Sequence, residues 1–368
     1  MKILVCFGTR PEAIKMAPVC YALKKEGLNY KVCVTAQHRE MLDQVLDFFE
    51  ITPDFDLNLM QTNQSLNQLS SRIIMAMDAV LKQEDFDLVL VHGDTTTSAM
   101  VALSAFQHGI KIGHVEAGLR TYNKYAPFPE EINRQLTGRL ADFHFAPTFR
   151  AKQNLLNELI PSSQIYLTGN TIVDALYMTK LKIDDGFISP TMKVLKKEID
   201  FNKKIILVTG HRRENFGKKF EHICQALLEI AQRSDVCMVF PVHLNPNISN
   251  HVTALLGNHP NIVLIEPLDY ATMVWLLSQS ALVISDSGGI QEEAPSFGVP
   301  VLVTRDVTER PEGIEAGCSI LVGTSVTQII KNANAILDDK RKVTGFKNPY
   351  GDGTAATQIV QQIRNILR

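Results

Sequence analysis

The sequence predicts an α/β protein built from two doubly wound, Rossmann-like domains facing one another across a cleft. Three observations carry this prediction. Short β-rich runs alternate with helix-period stretches along the chain. The runs are continuously apolar, as parallel strands covered on both faces must be. The alternation also comes as two series of similar length. Twelve candidate strands overfill an eight-stranded barrel and suit two sheets.

In the first half the strand-like runs are Lys2–Phe7, Tyr30–Thr35, Asp87–His92, Lys111–Val115, Phe143–Ala146 and Gln164–Thr168. Helix-period stretches such as Ala13–Glu26, Leu66–Gln83 and Thr95–His108 separate them. The second half repeats the scheme with Lys204–Thr209, Val236–Val242, Ile262–Glu266, Leu282–Ser285, Val299–Val303 and Ile320–Val322. Its helical stretches include Phe220–Arg233, Ala271–Gln279 and Val326–Leu337. A boundary near Gly169–Asp174 gives a first domain of residues 1–170 and a second of 171–353. The polar segment Lys182–Lys203 reads as a connection with one short helix. After the turn-rich Asn348–Gly353, Thr354–Leu367 reads as a capped amphipathic helix. This closing segment, 354–368, is expected to pack back toward the domain junction.

Composition narrows the function classes. A hydrophobic share of 45% with 21% charged residues belongs to a folded protein. A formal net charge of −2 supplies no electrostatic ground for binding nucleic acid or an anionic membrane, so any bound anion needs local positive groups. The six cysteines form no C-x-x-C pair, and Cys6, Cys33 and Cys237 lie inside apolar runs as buried free thiols of a reducing compartment do. The apolar run Ile3–Phe7 is too short for a signal peptide and is broken by Gly8-Thr9-Arg10-Pro11. No apolar stretch approaches the roughly 18–20 residues of a membrane span. A soluble, cytoplasmic protein is expected.

Polar clusters recur where doubly wound sheets place ligands, at the carboxyl ends of strands. Gly8-Thr9-Arg10-Pro11-Glu12 follows the first strand and opens a helix whose free amides favour an anion, with Arg10 and Lys15 adding charge. An ordinary strand–helix turn accounts for the same residues. It is not G-x-G-x-x-G, so no nicotinamide cofactor is expected there. Asp286-Ser287-Gly288-Gly289 is sharper: two glycines let the backbone approach a ligand, and Ser287 supplies a hydroxyl beside a helix N-terminus. Glu293, a turn further, suits a diol such as a ribose, although Glu292 and Glu293 also complement a helix dipole. His92-Gly-Asp94-Thr, His114-Val-Glu116-Ala-Gly, Gly210-His211-Arg-Arg-Glu and Thr308-Glu-Arg310-Pro-Glu complete the set. Asp94 and Glu116 from one domain, with His211 and Arg310 from the other, would line the cleft. Phe128-Pro129-Glu130-Glu131 reads equally as a helix start with acidic first-turn residues. The ten histidines form no H-x-x-x-H or H-x-x-E-H pattern, His243-Leu-Asn-Pro-Asn included, so no metal is expected. No P-loop or Gly-x-Ser-x-Gly elbow is present.

Taken together these motifs resemble the non-hydrolysing UDP-N-acetylglucosamine 2-epimerases of bacterial type. The segments that carry the resemblance are Phe7–Lys15, Thr35–Glu40, His92–Thr96, His114–Arg120, Gly210–Glu214, Pro241–Asn247, Asp286–Pro295, Glu309–Glu312 and Asn348–Gly353. The resemblance implies the two-domain architecture of the GT-B glycosyltransferases and a homodimer. It implies that Arg10, Lys15, His211, Ser287, Gly288, Gly289, Glu293 and Arg310 bind UDP. Asp94, Glu116 and Glu130 would be the catalytic carboxylates, with His211 beside the leaving diphosphate. It further implies an allosteric site for UDP-N-acetylglucosamine, to which Gln37, Arg39, Glu40 and His243 contribute. No cofactor or metal is implied.

The implied reaction is reversible epimerisation at C2 of UDP-N-acetylglucosamine to UDP-N-acetylmannosamine, for bacterial surface polysaccharide. That C2 proton is not adjacent to a carbonyl, and the sequence shows no nicotinamide motif. The remaining route breaks the anomeric C–O bond and expels UDP toward cationic groups. Carboxylates stabilise the oxocarbenium-like centre and one removes the acidified C2 proton, giving 2-acetamidoglucal by anti elimination. Re-addition of UDP after reprotonation on the other face completes the inversion. A GT-B glycosyltransferase is the nearest alternative, and the carboxylates gathered in the first domain argue against it.

Overall fold

A computed structural model describes residues 2–35, 39–61, 64–210, 217–242, 246–339 and 348–366, with the backbone alone for 39–40 and 246–249. The chain divides into two compact units, Met1–Ala175 with Tyr350–Arg368, and Leu176–Pro349.

Among the described residues, the first unit is built on a seven-stranded parallel sheet in the order β3-β2-β1-β4-β5-β6-β7. Its strands are β1 (Lys2–Phe7), β2 (Asn29–Val34), β3 (Phe55–Asp56), β4 (Leu88–His92), β5 (Lys111–Val115), β6 (Phe143–Ala146) and β7 (Ile165–Leu167). The crossovers are α1 (Arg10–Lys25), α2 (Arg39–Phe48), α3 (Leu66–Leu81), α4 (Thr96–Gln107), α5 (Glu130–Leu140) and α6 (Phe149–Asn157). Central strands β1 and β4 are buried almost throughout, because helices cover both faces. Leu4, Val89, Val91 and Ile112 pack against Ile73, Met77, Val101 and Ala105 of α3 and α4 on one of those faces. Each of these side chains larger than alanine contributes roughly 1.5–3 kcal/mol by leaving water.

The second unit holds a six-stranded parallel sheet, β10-β9-β8-β11-β12-β13. Its strands are β8 (Lys204–Thr209), β9 (Val236–Pro241), β10 (Ile262–Ile265), β11 (Ser280–Ser285), β12 (Val301–Val303) and β13 (Ser319–Leu321). Around it lie α7 (Thr171–Asp184), which leads the chain in, α8 (Pro190–Glu198), α9 (Lys218–Ala231), α10 (Pro246–Leu256), α11 (Tyr270–Ser278), α12 (Gly288–Glu293), α13 (Pro311–Glu315) and α14 (Val326–Leu337). In chain order this is the 3-2-1-4-5-6 winding of dinucleotide-binding folds. Phe220, Ile223, Leu227 and Ile230 of α9 share a core with Met238 and Phe240 of β9 and Ile329 of α14.

All twelve expected strands are present, with ends shifted by at most two residues. The added strand is β3, which pairs only Phe55 and Asp56 with Cys33 and Val34 at the sheet edge. Two residues are too few to show a period, and the preceding Thr52-Pro53-Asp54 reads as a turn. The six cysteines are all buried and form no disulfide. The closing helix α15 (Ala355–Ile366) packs along α1, burying Ile359, Val360 and Ile363 and pairing Arg364 with Glu26. Its first amides, of Ala355 and Ala356, donate to the Asp174 carboxylate, while the Thr354 hydroxyl turns to Asp352.

Candidate active site

Each sheet reverses its winding at one place, between β1 and β4 in the first unit and between β8 and β11 in the second. Ligands of open α/β sheets bind outside the carboxyl ends of strands at such switch points. In the first unit the turn after β1 is threaded through a narrow gap. A Cβ on Gly8 would lie 2.1 Å from Thr35 Oγ1 and 2.6 Å from Thr97 Oγ1, so only glycine fits. Those two hydroxyls bond each other at 2.8 Å, joining the end of β2 to the start of α4.

Glu12 ties the same turn to the neighbouring loop. Its Oε2 accepts from the amides of Gly8 (3.0 Å) and Thr9 (2.8 Å), forming a capping box with Thr9. Its Oε1 accepts from the hydroxyl of Thr95 at 2.7 Å. Thr95 caps α4 by accepting from Ser98 N at 3.1 Å. One buried carboxyl thus couples the helix starts that carry Lys15 and follow Asp94. Burial pushes that carboxyl up to about 7, outweighing the hydrogen bonds from Thr95, Gly8 and Thr9 that favour its charge.

The carboxylates expected from the sequence gather on this switch point. Asp94 follows Gly93, whose φ of 63° turns the chain off β4. Arg134 of α5 donates from Nη2 to Asp94 Oδ2 at 2.6 Å. Burial raises the Asp94 carboxyl, Arg134 opposes this, and the charges of Glu116 and Glu130 raise it further. Glu116, at φ 61° just past β5, receives the Lys15 ammonium and, at 3.2 Å, the Nδ2 of Asn170. His92 Nε2 stands 3.7 Å from its other oxygen. Glu130 is half-buried at the first position of α5.

Buried polar groups hold this cluster in place. His114 Nε2 donates to Gly93 O at 2.7 Å, which fixes the peptide ahead of Asp94. Desolvation lowers His114 to about 3, so its ring is neutral. Glu131 accepts from Thr121 N (2.9 Å) and Tyr122 N (3.1 Å), anchoring the loop that leads to Glu130. That loop contains cis bonds at Ala126-Pro127 and Phe128-Pro129. Arg120 forks onto Glu158 through Nε (2.6 Å) and Nη2 (2.8 Å) on its other side.

In the second unit, Thr209 Oγ1 and Ser285 Oγ bond at 2.6 Å, clasping the ends of β8 and β11. Ser285 Oγ also accepts from Ser287 N at 2.9 Å, setting the Ser287-Gly288-Gly289 turn. A Cβ on Gly288 would come within 3.0 Å of Glu309 Oε1, whereas one on Gly289 would, among the described residues, meet nothing nearer than Ser287 Oγ at 3.8 Å. Arg310 is drawn onto α12 by an ion pair with Glu292. Thr308 supports it, donating to Gln291 Oε1 at 2.7 Å and accepting from Arg310 N at 3.1 Å.

Within the first unit the structure brings Lys15, Asp94, Glu116 and Glu130 together, and Arg10 opens α1; within the second, Ser287, Gly288, Gly289, Glu293 and Arg310 lie on or beside α12. Lys15 is engaged by Glu116, and Arg310 pairs with the buried Glu292. Glu293 is half-buried at the end of α12. His211, Gln37 and His243 lie outside the described residues, as do the side chains of Arg39 and Glu40. Sequence reasoning missed Arg134, Asn170 and the structural roles of Glu12, Glu131 and His114. A signal existed for Arg134, four residues after Glu130 and hence on the same helix face. Asn170 follows the last strand of the first series, another strand-end position. Among the described residues no group of His, Cys, Asp and Glu is placed to hold a metal, and no helix is long and apolar enough to cross a membrane.

Comparison with known proteins shows the family and the fold. The family model for UDP-N-acetylglucosamine 2-epimerase matches residues 21–364. A UDP-N-acetylglucosamine 2-epimerase of Salmonella typhimurium is 52% identical over 99% of both chains. One from Campylobacter jejuni is 52% identical over 98% of this chain and 96% of its own. The crystal structure of UDP-GlcNAc 2-epimerase from Neisseria meningitidis bound to UDP-GlcNAc superposes with a TM-score of 0.91 at 49% identity, covering 99% of this chain and 100% of that one. A lipopolysaccharide outer core galactosyltransferase shares the fold alone, with a TM-score of 0.60 at 13% identity over the full length of both chains.

Proposed function

From the premise that the chain belongs to the UDP-N-acetylglucosamine 2-epimerase family, we propose that it reversibly converts UDP-N-acetylglucosamine to UDP-N-acetylmannosamine by anti elimination and re-addition of UDP. The observation that carries this reading is the carboxylate cluster at the β1–β4 switch point. Asp94, Glu116 and Glu130 sit beside two cationic side chains, Lys15 and Arg134. Such a cluster can stabilise an oxocarbenium-like centre and exchange a proton at C2. Asp94, with its carboxyl raised by burial, is suited to carry a proton, while Glu116 is held in place by Lys15 and Asn170.

UDP is assigned to the Ser287-Gly288-Gly289 turn, Glu293 and Arg310, with Arg10, Lys15 and His211 completing its charge balance. Support comes from the turn's position at the β8–β11 switch point and from the fixed Arg310 guanidinium. The reading extends to residues 1–170 as the catalytic domain, 171–353 as the UDP domain and 354–368 as a closing helix. It extends also to a cytoplasmic homodimer that serves surface polysaccharide synthesis and is activated by UDP-N-acetylglucosamine at Gln37, Arg39, Glu40 and His243. A second copy is supported by exposed Met75, Phe106 and Leu136 on the adjacent helices α3, α4 and α5. The test is turnover of UDP-N-acetylglucosamine in D2O followed by NMR. UDP-N-acetylmannosamine carrying solvent deuterium at C2 is expected; product without it defeats the mechanism, and free N-acetylmannosamine would mark a hydrolase.

A further inference from the structure

Asn170 is 3% exposed and makes three contacts that no other residue of the site combines. Its Nδ2 donates to Glu116 Oε1 at 3.2 Å. Its Oδ1 accepts from Ile172 N at 3.1 Å, closing the first turn of α7. Its own amide donates to Tyr350 O at 2.8 Å. The amide orientation is settled by these partners, since a flipped side chain would set oxygen against carboxylate and NH2 against an N–H. The chain leaves the first unit within α7 and re-enters it at Pro349–Tyr350. Asn170 thus joins the outgoing segment, the returning segment and Glu116. The approach is close: at Gly169, with φ 88°, a Cβ would lie 3.5 Å from Tyr350 O.

We infer that Asn170 is a positioning residue for the epimerisation, holding the Glu116 carboxylate against the segments by which the chain crosses between its units. The inference rests on the epimerase reading and on Glu116 acting in it. Lys15 supplies the charge opposite Glu116 and Asn170 supplies direction: an ammonium on a flexible stem fixes no angle, whereas a capped, buried amide does. Among the described residues, the ionisable groups beside Glu116 include His92 from β4 and Asp94 from the following loop.

Two variants separate positioning from support of the fold. Asn170→Asp keeps the acceptor for Ile172 N but sets a second carboxylate against Glu116, which disfavours ionisation of both. Asn170→Ser keeps a capping oxygen, carries no charge and is too short to reach Glu116. Both should stay folded and bind UDP as the unaltered chain does. The serine variant should lose about ten-fold in kcat with KM little changed, as expected for a lost hydrogen bond to a charged group. The aspartate variant should lose more and move a limb of the pH–rate profile upward by about one unit. Lys15, His92 and Asp94 are common to all three proteins, so that displacement belongs to position 170. A folded Asn170→Asp protein with unchanged kcat and pH profile overturns the inference. Should the unaltered chain fail to epimerise, the functional reading falls by that result alone. Carbon-13 titration of the Glu116 carboxyl then decides the contact: an upward move in Asn170→Asp upholds it, and coincident curves reject it.

Discussion

Arg134 reaches from α5 to place its Nη2 2.6 Å from Asp94 Oδ2, while its Nη1 stands 3.5 Å from Glu131. One guanidinium therefore spans the carboxyl proposed to move a proton and the carboxylate that anchors the loop ahead of Glu130. Asp94 is held above its ordinary range by burial, and Arg134 is the largest influence holding it down. Replacing Arg134 by Met keeps the stem and removes the charge. The Asp94 carboxyl should then rise further, moving the limb of the pH–rate profile that it governs to higher pH. A fall of about ten- to hundred-fold in kcat is expected from the lost charge-assisted bond. Arg134→Lys should fall between the two. Identical profiles in the Met variant would show that the pair plays no part in setting the Asp94 proton.

Glu12 and His114 act on stability in opposite directions as pH changes. Glu12 titrates at 4.5 when unperturbed and at about 7 in the folded chain. Between those values the folded chain keeps a proton that the unfolded chain has lost. Its contribution is therefore fully present below about 4.5 and is lost as pH rises to about 7. His114 falls from 6.5 to about 3 and His144 from 6.5 to about 4, in both cases mainly by burial. Their contribution is present above about 6.5 and is lost as pH falls through those folded values. Substituting Glu12 by Gln, which still suits a capping box, removes only the first of these opposing slopes. The stability of the Gln variant relative to the unaltered chain should rise by on the order of 3 kcal/mol from pH 4.5 to 7. Urea unfolding at closely spaced pH values measures this difference, and parallel curves would mean that Glu12 does not titrate in that window.

The sequence was most informative where a polar residue ends an apolar strand. Asp94, Glu116 and Ser287 stand within two residues of β4, β5 and β11, so recognising the strand locates the side chain. The parallel arrangement was legible for the same reason: strands buried on both faces have no alternation, and β1, β4 and β8 show none. Partners drawn from elsewhere left a weaker mark, a helix-face spacing for Arg134 and a strand end for Asn170. Arg134 acts on Asp94 across 40 positions, and Asn170 on Glu116 across 54. Both are ordinary polar residues at the scale of a sequence window, and only the winding of the sheet brings them in. The Glu12–Thr95 bond is a further case. Thr95 donates to Glu12 from 83 residues away, beyond the reach of any local pattern. Glu292 was one of two adjacent acidic residues in the string, and its pairing with Arg310 shows only in the fold.

Asp174 holds the end of the chain to the first unit. Its two oxygens accept from Ala356 N at 2.9 Å and Ala355 N at 3.2 Å, supplying the first turn of α15 with acceptors from a residue some 180 positions earlier. Burial pushes the carboxyl up to about 6, against the opposing effect of those two amides. Helix α15 has no acidic residue of its own in its first turn, and Asp174 supplies a carboxylate there. Asp174→Ala should leave two buried amides without partners and cost about 1–2 kcal/mol, the usual loss for a helix cap. Asn keeps one acceptor and should cost roughly half as much. The effect should be local: amide hydrogen exchange in α15 should quicken, with the amides of β1 and β4 unchanged, because α15 lies on the outside of α1 and the sheet core does not depend on it. If α15 exchanges at the same rate in the Ala variant, the helix is held by Ile359, Val360, Ile363 and the Arg364–Glu26 pair, and Asp174 serves another purpose.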